Sequence, residues 1–162
     1  MLFRSLAVAC GTAGGGAAFR SGERGRIEVY DLDSRKLRWT QGAHSTAALA
    51  VAFSPNGKEI ASVGNGNALI LWDAYTGQQR RTIPLEGDKH TAVLYLPKGD
   101  TIVTTEEERK VAFWNLQTGK RVRQREGHNA SIRTLSLSPN GEVLASGSLD
   151  GVIRLWHLNQ QP

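Results

Sequence analysis

Glu126–His157 reads EGHNASIRTLSLSPNGEVLASGSLDGVIRLWH. Two tight turns divide it. Ser138-Pro139-Asn140-Gly141 has a proline that presets φ and an Asn-Gly pair that tolerates positive φ, and Asp150-Gly151 supplies a second such turn. The runs they separate are aliphatic and β-branched: Ile132, Leu135 and Leu137, then Val143 and Leu144, then Val152, Ile153 and Leu155. Read locally, this is three short antiparallel strands, with a Gly127-His128 pair before the first and Trp156 closing the third.

The unit recurs in a fixed register. Trp72, Trp114 and Trp156 stand 42 residues apart, and Tyr30 lies 42 before Trp72. Ser54-Pro55-Asn56-Gly57 sits 84 residues before Ser138-Pro139-Asn140-Gly141, with Leu96-Pro97-Lys98-Gly99 midway, and His44 lies 84 before His128. A period of about 40 to 45 residues with four strands per unit is the sequence signature of a propeller blade. The chain therefore resembles the WD-repeat β-propeller family, whose repeats carry Gly-His near the start and Trp-Asp at the end. Here the endings read Tyr30-Asp31, Trp72-Asp73, Trp114-Asn115 and Trp156-His157. The resemblance implies an all-β fold of antiparallel blades, about four of them over 1–41, 42–84, 85–126 and 127–162, as one domain spanning 1–162.

Length and composition agree with that reading. The 162 residues suffice for one domain with a sizeable core, and 18 glycines suit many tight turns. No apolar run reaches the length of a membrane-spanning helix, so no membrane association is expected. The apolar stretch Leu6–Cys10 is too short for a signal sequence and instead matches a strand, Ile60-Ala61-Ser62-Val63-Gly64. The single cysteine forms no internal disulfide, and the expected location is cytoplasmic. The net charge of +5 raises the possibility of nucleic acid. Its densest group, Arg80, Arg81, Lys120, Arg121, Arg123 and Arg125, falls on outer strands, where a solvated edge kept basic against strand pairing is the simpler account.

Taken in order, residues 5–11 form one strand, and 12–25 (TAGGGAAFRSGERG) form a Gly-rich flexible insertion of about 12 residues, without the Gly-Lys-Ser/Thr ending of a P-loop. Residues 26–32 and 36–40 complete a first blade of three strands. The second unit has strands near 47–53, 58–63, 68–73 and 79–83, its inner strand small, apolar and expected to be buried. The third has a more apolar inner strand through Leu94 and Leu96, the charged turn Glu106–Lys110 in place of Asp-Gly, and an outer strand at 121–125. The last unit has three strands.

Candidate chemistry centres on Ser, His and Asp, the composition of a hydrolase triad. No Gly-x-Ser-x-Gly elbow is present. The resemblance implies instead a structural tetrad in which Trp156, Ser146, His128 and Asp150 are hydrogen-bonded in series and tie the strands together. The second blade keeps a partial set, His44, Ser62 and Trp72, with Gly66 where the acid belongs. The third has Glu86, Thr104, Glu108 and Trp114 without histidine, and the two carboxylates are expected to be exposed. Trp39 lies on an outer strand, where part of it is expected to reach solvent. His90 aligns with the inner strand and has no titratable partner for acid-base work. No histidine pair or Cys-x-x-Cys has metal-ligand spacing, so neither metal nor cofactor is expected.

What remains is binding. The resemblance implies a non-catalytic interaction scaffold that engages a protein or peptide through rim loops: Ser45, Thr46, Asn65, Asn67, Asp88, Lys89, Glu106, Glu107, Arg109, Asn129 and Leu149. With strand counts of three, four, four and three, the first and last blades are incomplete. The expectation is completion either by self-assembly into a fuller ring or by the rest of a larger propeller. The other readings are a regulatory or sensor segment of a larger signalling protein, an enzyme using the propeller channel, and a basic nucleic-acid-binding surface.

Overall fold

The computed structural model describes residues 5–10, 25–45, 47–107 and 109–159. Fourteen strands are named in it and no helix, all antiparallel, in four sheets. The first sheet holds β1 (Ser5–Cys10), β2 (Gly25–Asp31) and β3 (Lys36–His44). The second runs β4 (Ala48–Phe53), β5 (Glu59–Gly64), β6 (Ala68–Asp73) and β7 (Gln79–Pro84). The third runs β8 (Val93–Tyr95), β9 (Thr101–Glu106), β10 (Lys110–Asn115) and β11 (Lys120–Arg125), and the fourth β12 (Ile132–Leu137), β13 (Val143–Ser148) and β14 (Ile153–His157). Every sheet is a meander in sequence order, the arrangement of one propeller blade.

The blades stack because their strands are apolar on both faces. Ile60 in β5 faces back into a cluster with Ile27, Val29, Trp39, Ile70 and Trp72. Its neighbour Ala61 faces forward into a cluster with Leu69, Leu71, Ile83, Tyr95, Ile102 and Trp114. A third cluster, Val103, Val111, Phe113, Ile132 and Leu144, joins the third blade to the fourth. The innermost strands touch in succession, β1 with β4, β4 with β8, and β8 with β12. Alternation along each strand thus serves two interfaces at once, and the core lies between sheets.

Turn chemistry sets the spacing underneath. Gly57, Gly99 and Gly141 all have positive φ, as the turns require. Gly141 also faces Pro97 of the preceding blade so closely that a Cβ there would lie 2.5 Å from the ring, so the turn needs glycine for packing as well as for φ.

Several features differ from what the sequence suggests. β3 runs to His44 rather than stopping at 40, because its far end pairs with Gly25. The inner strand β4 is buried only at its first residue and half-buried beyond. Trp39 is buried, not partly exposed. The expected insertion lies outside the described residues except for Gly25, which opens β2. Thr46 and Glu108 also fall outside them.

Candidate functional site

Three successive blades put a polar anchor at one position of the repeat and fill it differently. In the fourth, β13 carries Ser146 and β14 carries Trp156 in adjacent strands. The Trp156 indole N–H donates to Ser146 Oγ at 2.9 Å, and the Ser146 hydroxyl meets His128 Nε2 at 2.7 Å. The other ring nitrogen, Nδ1, donates to Asp150 Oδ2 at 2.9 Å, and the Asn129 N–H donates to the same oxygen at 2.9 Å. Desolvation alone would raise the Asp150 carboxyl. The donors from Asn129, His128 and Val152 outweigh it and hold the group well below the usual carboxylate range.

The Ser-His-Asp distances are those of a nucleophilic triad, but the serine is enclosed. Ser146 is fully buried, and its oxygen is shared between indole and imidazole. The series ties the loop before β12 to β13 and β14.

The second blade has the shorter series. Trp72 donates to Ser62 Oγ at 3.0 Å, and Ser62 meets His44 Nε2 at 3.0 Å. Gly66, at the position of Asp150, offers no carboxylate. Its φ is +115°, and its N–H donates to the Asp88 carbonyl at 2.8 Å. Without an acid beside it, buried His44 is pushed down to about 4, by desolvation first and by the nearby His90 second.

The third blade has no imidazole in this series, with Glu86 at the position of His44 and His128. Trp114 still donates, at 3.0 Å, to Thr104 Oγ1. Beside it Arg121 bridges two carboxylates, buried Glu106 at 2.7 Å and exposed Glu86 at 2.9 Å. The sequence reading puts Glu86 outside, where it is, but does not identify Arg121 as the partner that allows Glu106 to go inside. Only the pairing of β10 with β11, which sets Arg121 opposite Trp114, brings that out. One oxygen of Glu106, Oε1, is buried without a partner.

The basic outer strands are also engaged internally. Arg80 pairs with Asp73 and Glu59. Arg81 donates to the carbonyls of Leu116 and Gln117, and Arg123 to the carbonyl of Leu158. The expected solvated basic edge is thus largely a set of ties to neighbouring groups.

The rim residues fall into two groups. Those of the second and third blades are laced together: Ser45 Oγ reaches the Asn65 carbonyl at 3.4 Å, and Asn65 bridges to Lys89. Asn67 is exposed, with its carbonyl accepting from Leu85 N–H. Between the third and fourth blades the rim opens into a groove of about 470 Å³ lined by Asp88, Glu107, Arg109, Ala130, Ser131 and Leu149. Asn129 lies beside it, anchored through its N–H to Asp150. His90, fully buried behind this rim, has Nδ1 2.6 Å from the Thr105 carbonyl and Nε2 3.3 Å from that of Gly87, so its ring binds backbone. Among the described residues no group of three metal-ligating side chains forms.

Comparison with known proteins matches residues 35–73 and 119–157 to a family model described as WD domain, G-beta repeat. The chain is similar to the WD repeat-containing protein SL1-17 of Schistosoma mansoni, with 28% identity over 131 residues, covering 81% of this chain and 43% of that protein. It is also similar to the U3 small nucleolar RNA-associated protein 21 of Saccharomyces cerevisiae, 26% identical over 160 residues, covering 96% of this chain and 16% of that one. A shorter match, 54% over 33 residues, covers 20% of this chain and 4% of the ribosome biogenesis protein ERB1 of Debaryomyces hansenii. The chain spans less than half the length of each.

Proposed function

The chain is built of WD repeats, and from that premise we propose that it is a non-catalytic scaffold that binds a protein or peptide at its rim. The observation that carries this reading is the enclosure of the triad-like set in the fourth blade. Ser146 is buried and hydrogen-bonded on both sides, and His90 is held by backbone carbonyls, so among the described residues the rim surfaces are more open to a partner than these groups. Relatives named for ribosome biogenesis and for association with a small nucleolar RNA favour a place in a multi-component assembly. The nucleic-acid reading is the weaker one, because Arg80, Arg81, Arg121 and Arg123 are already committed to neighbours. An affinity capture with the chain as bait tests the rim. Changing Glu107, Lys89 and Asn129 together should abolish capture of the specific partner, and undiminished capture would count against this surface.

A second observation favours completion by a further blade. Leu69 and Leu71 are 0% and 4% exposed, and their equivalents Val111 and Phe113 are 0% and 4%. The residues at the same positions of the fourth blade, Ile153 and Leu155, are 74% and 64% exposed. The first blade likewise exposes Leu6 and Val8, where later blades bury Ile60 and Ser62. A face of this build is covered in the other blades by the next sheet, so we assign these faces to another blade of the same repeat, from a second copy or from a longer propeller. Sedimentation of the chain should show concentration-dependent association that Leu155→Asp weakens. A single species insensitive to that change would remove self-assembly.

A further inference from the structure

We propose that the groove between the third and fourth blades takes a cationic peptide segment, an arginine or lysine next to an apolar side chain. The inference rests on the rim reading above and names the class of partner.

The groove is formed by equivalent residues of consecutive repeats. Glu107 and Leu149 occupy the same position 42 residues apart, and both line it. Leu149 is a large apolar side chain left exposed, and Ala130 continues that surface. Asp88 and Glu107 supply carboxylates on the other side. Its volume falls within the range of pockets that hold small ligands or single side chains.

The charge has the right sign, against the chain's overall +5. The nearby ion pairs are uneven: Lys110 is shared by Glu107 and Glu126, and Arg121 by Glu86 and Glu106, so each set keeps one negative charge in excess. Asp88 adds a third carboxylate, set against Arg109 and Lys89, and Glu106, next to Glu107, keeps its buried Oε1 without a donor. A low-dielectric wall behind a wet groove strengthens such a field. Arg109, also in the lining, presents donors only, which suits a main-chain carbonyl of the bound segment.

The backbone supports the reading independently. Glu107 is one of two non-glycine residues with positive φ among those described, at +48°. Such conformations are unfavourable for side-chain-bearing residues and cluster where a side chain must be aimed. The strain places the Glu107 carboxylate at the groove, where the equivalent second-blade residue, Asn65, is folded into the rim instead.

The test uses the full chain and fluorescein-labelled peptides with Arg-Leu-Arg, Lys-Leu-Lys or Glu-Leu-Glu between neutral Ser-Gly flanks, followed by anisotropy. The basic peptides should bind with micromolar affinity, weaken as salt is raised, and lose about tenfold or more on Asp88→Asn with Glu107→Gln. Leu149→Ser should weaken them separately, and all these side chains are exposed enough for the fold to survive. Binding that ignores both variants, or no binding of the basic peptides at about 1 mM, overturns the proposal. Preference for the acidic peptide also overturns it. If basic peptides fail while the rim variants still abolish capture of a protein partner, the scaffold reading stands without this one.

Discussion

The indole N–H of Trp39 donates to the carbonyl oxygen of Ala74 at 3.1 Å, and the same tie recurs one repeat later and again after that. Arg81 reaches Leu116, and Arg123 reaches Leu158 at 3.3 Å. Each donor sits on an outer strand, and each acceptor directly follows the third strand of the next blade, 35 residues on. Residue type changes while geometry holds, because an indole and a guanidinium can both donate to a carbonyl across the gap.

Trp39→Phe should keep most of the packing and remove the bond. With the Ala74 carbonyl left without its partner, the expected loss is about 1–2 kcal/mol. Trp39→Ala also removes a buried ring, and about 3–5 kcal/mol is expected. Urea unfolding of the two variants checks the difference. Equal losses would mean that the hydrogen bond contributes nothing separable from packing.

Ser146→Ala should destabilise by about 2–3 kcal/mol, since it strands both the Trp156 N–H and the His128 ring. Thr104→Val is close to isosteric and strands the Trp114 N–H alone, so about 1–2 kcal/mol is expected. The ordering, read from midpoints at constant m-value, is the test.

Arg35 has φ +55°, at the position where the next two repeats have Gly77 and Gly119, at +73° and +70°. Arg35→Gly should therefore stabilise by roughly 0.5–1 kcal/mol, after the added chain entropy of glycine is subtracted. A rise in thermal midpoint checks it, and a fall would show that the guanidinium contributes more than the backbone strain costs.

Gly66→Asp restores the acid that the repeat pattern calls for, yet it should destabilise. A φ of +115° lies outside what an aspartate readily adopts, and about 1–3 kcal/mol is the expected cost. Stabilisation by denaturant melting would reverse this reading.

His44 gives the fold an acid-sensitive point. An unfolded histidine titrates near 6.5, whereas His44 in the fold is pushed down to about 4. Between these values the unfolded chain binds the extra proton, so stability is full above pH 6.5 and declines as pH falls toward 4. The shift sets a ceiling of about 3 kcal/mol on this contribution. His44→Gln should flatten stability against pH across that window, and an unchanged slope would assign the sensitivity elsewhere.

The blade pattern was legible because it is local. The 42-residue spacing of Trp72, Trp114 and Trp156 and the Ser-Pro-Asn-Gly turns specify strands and register without any distant contact. The fourth-blade residues His128, Ser146, Asp150 and Trp156 were legible for the same reason. Trp39 was not, because its partner belongs to the next blade and is a backbone carbonyl, which carries no residue identity. Arg121 was missed because it stands on an outer strand with other cations, and only strand pairing shows that it meets the buried Glu106.

The blades thus differ in how they respond to acid. The second anchors its indole through Ser62 to His44, a ring pushed down to about 4, whereas the third has Thr104 and no ring there, and its Arg121 stays charged throughout. Repeats that share one backbone shape therefore do not share one protonation requirement, and an acid challenge that reaches the second blade passes over the anchor of the third.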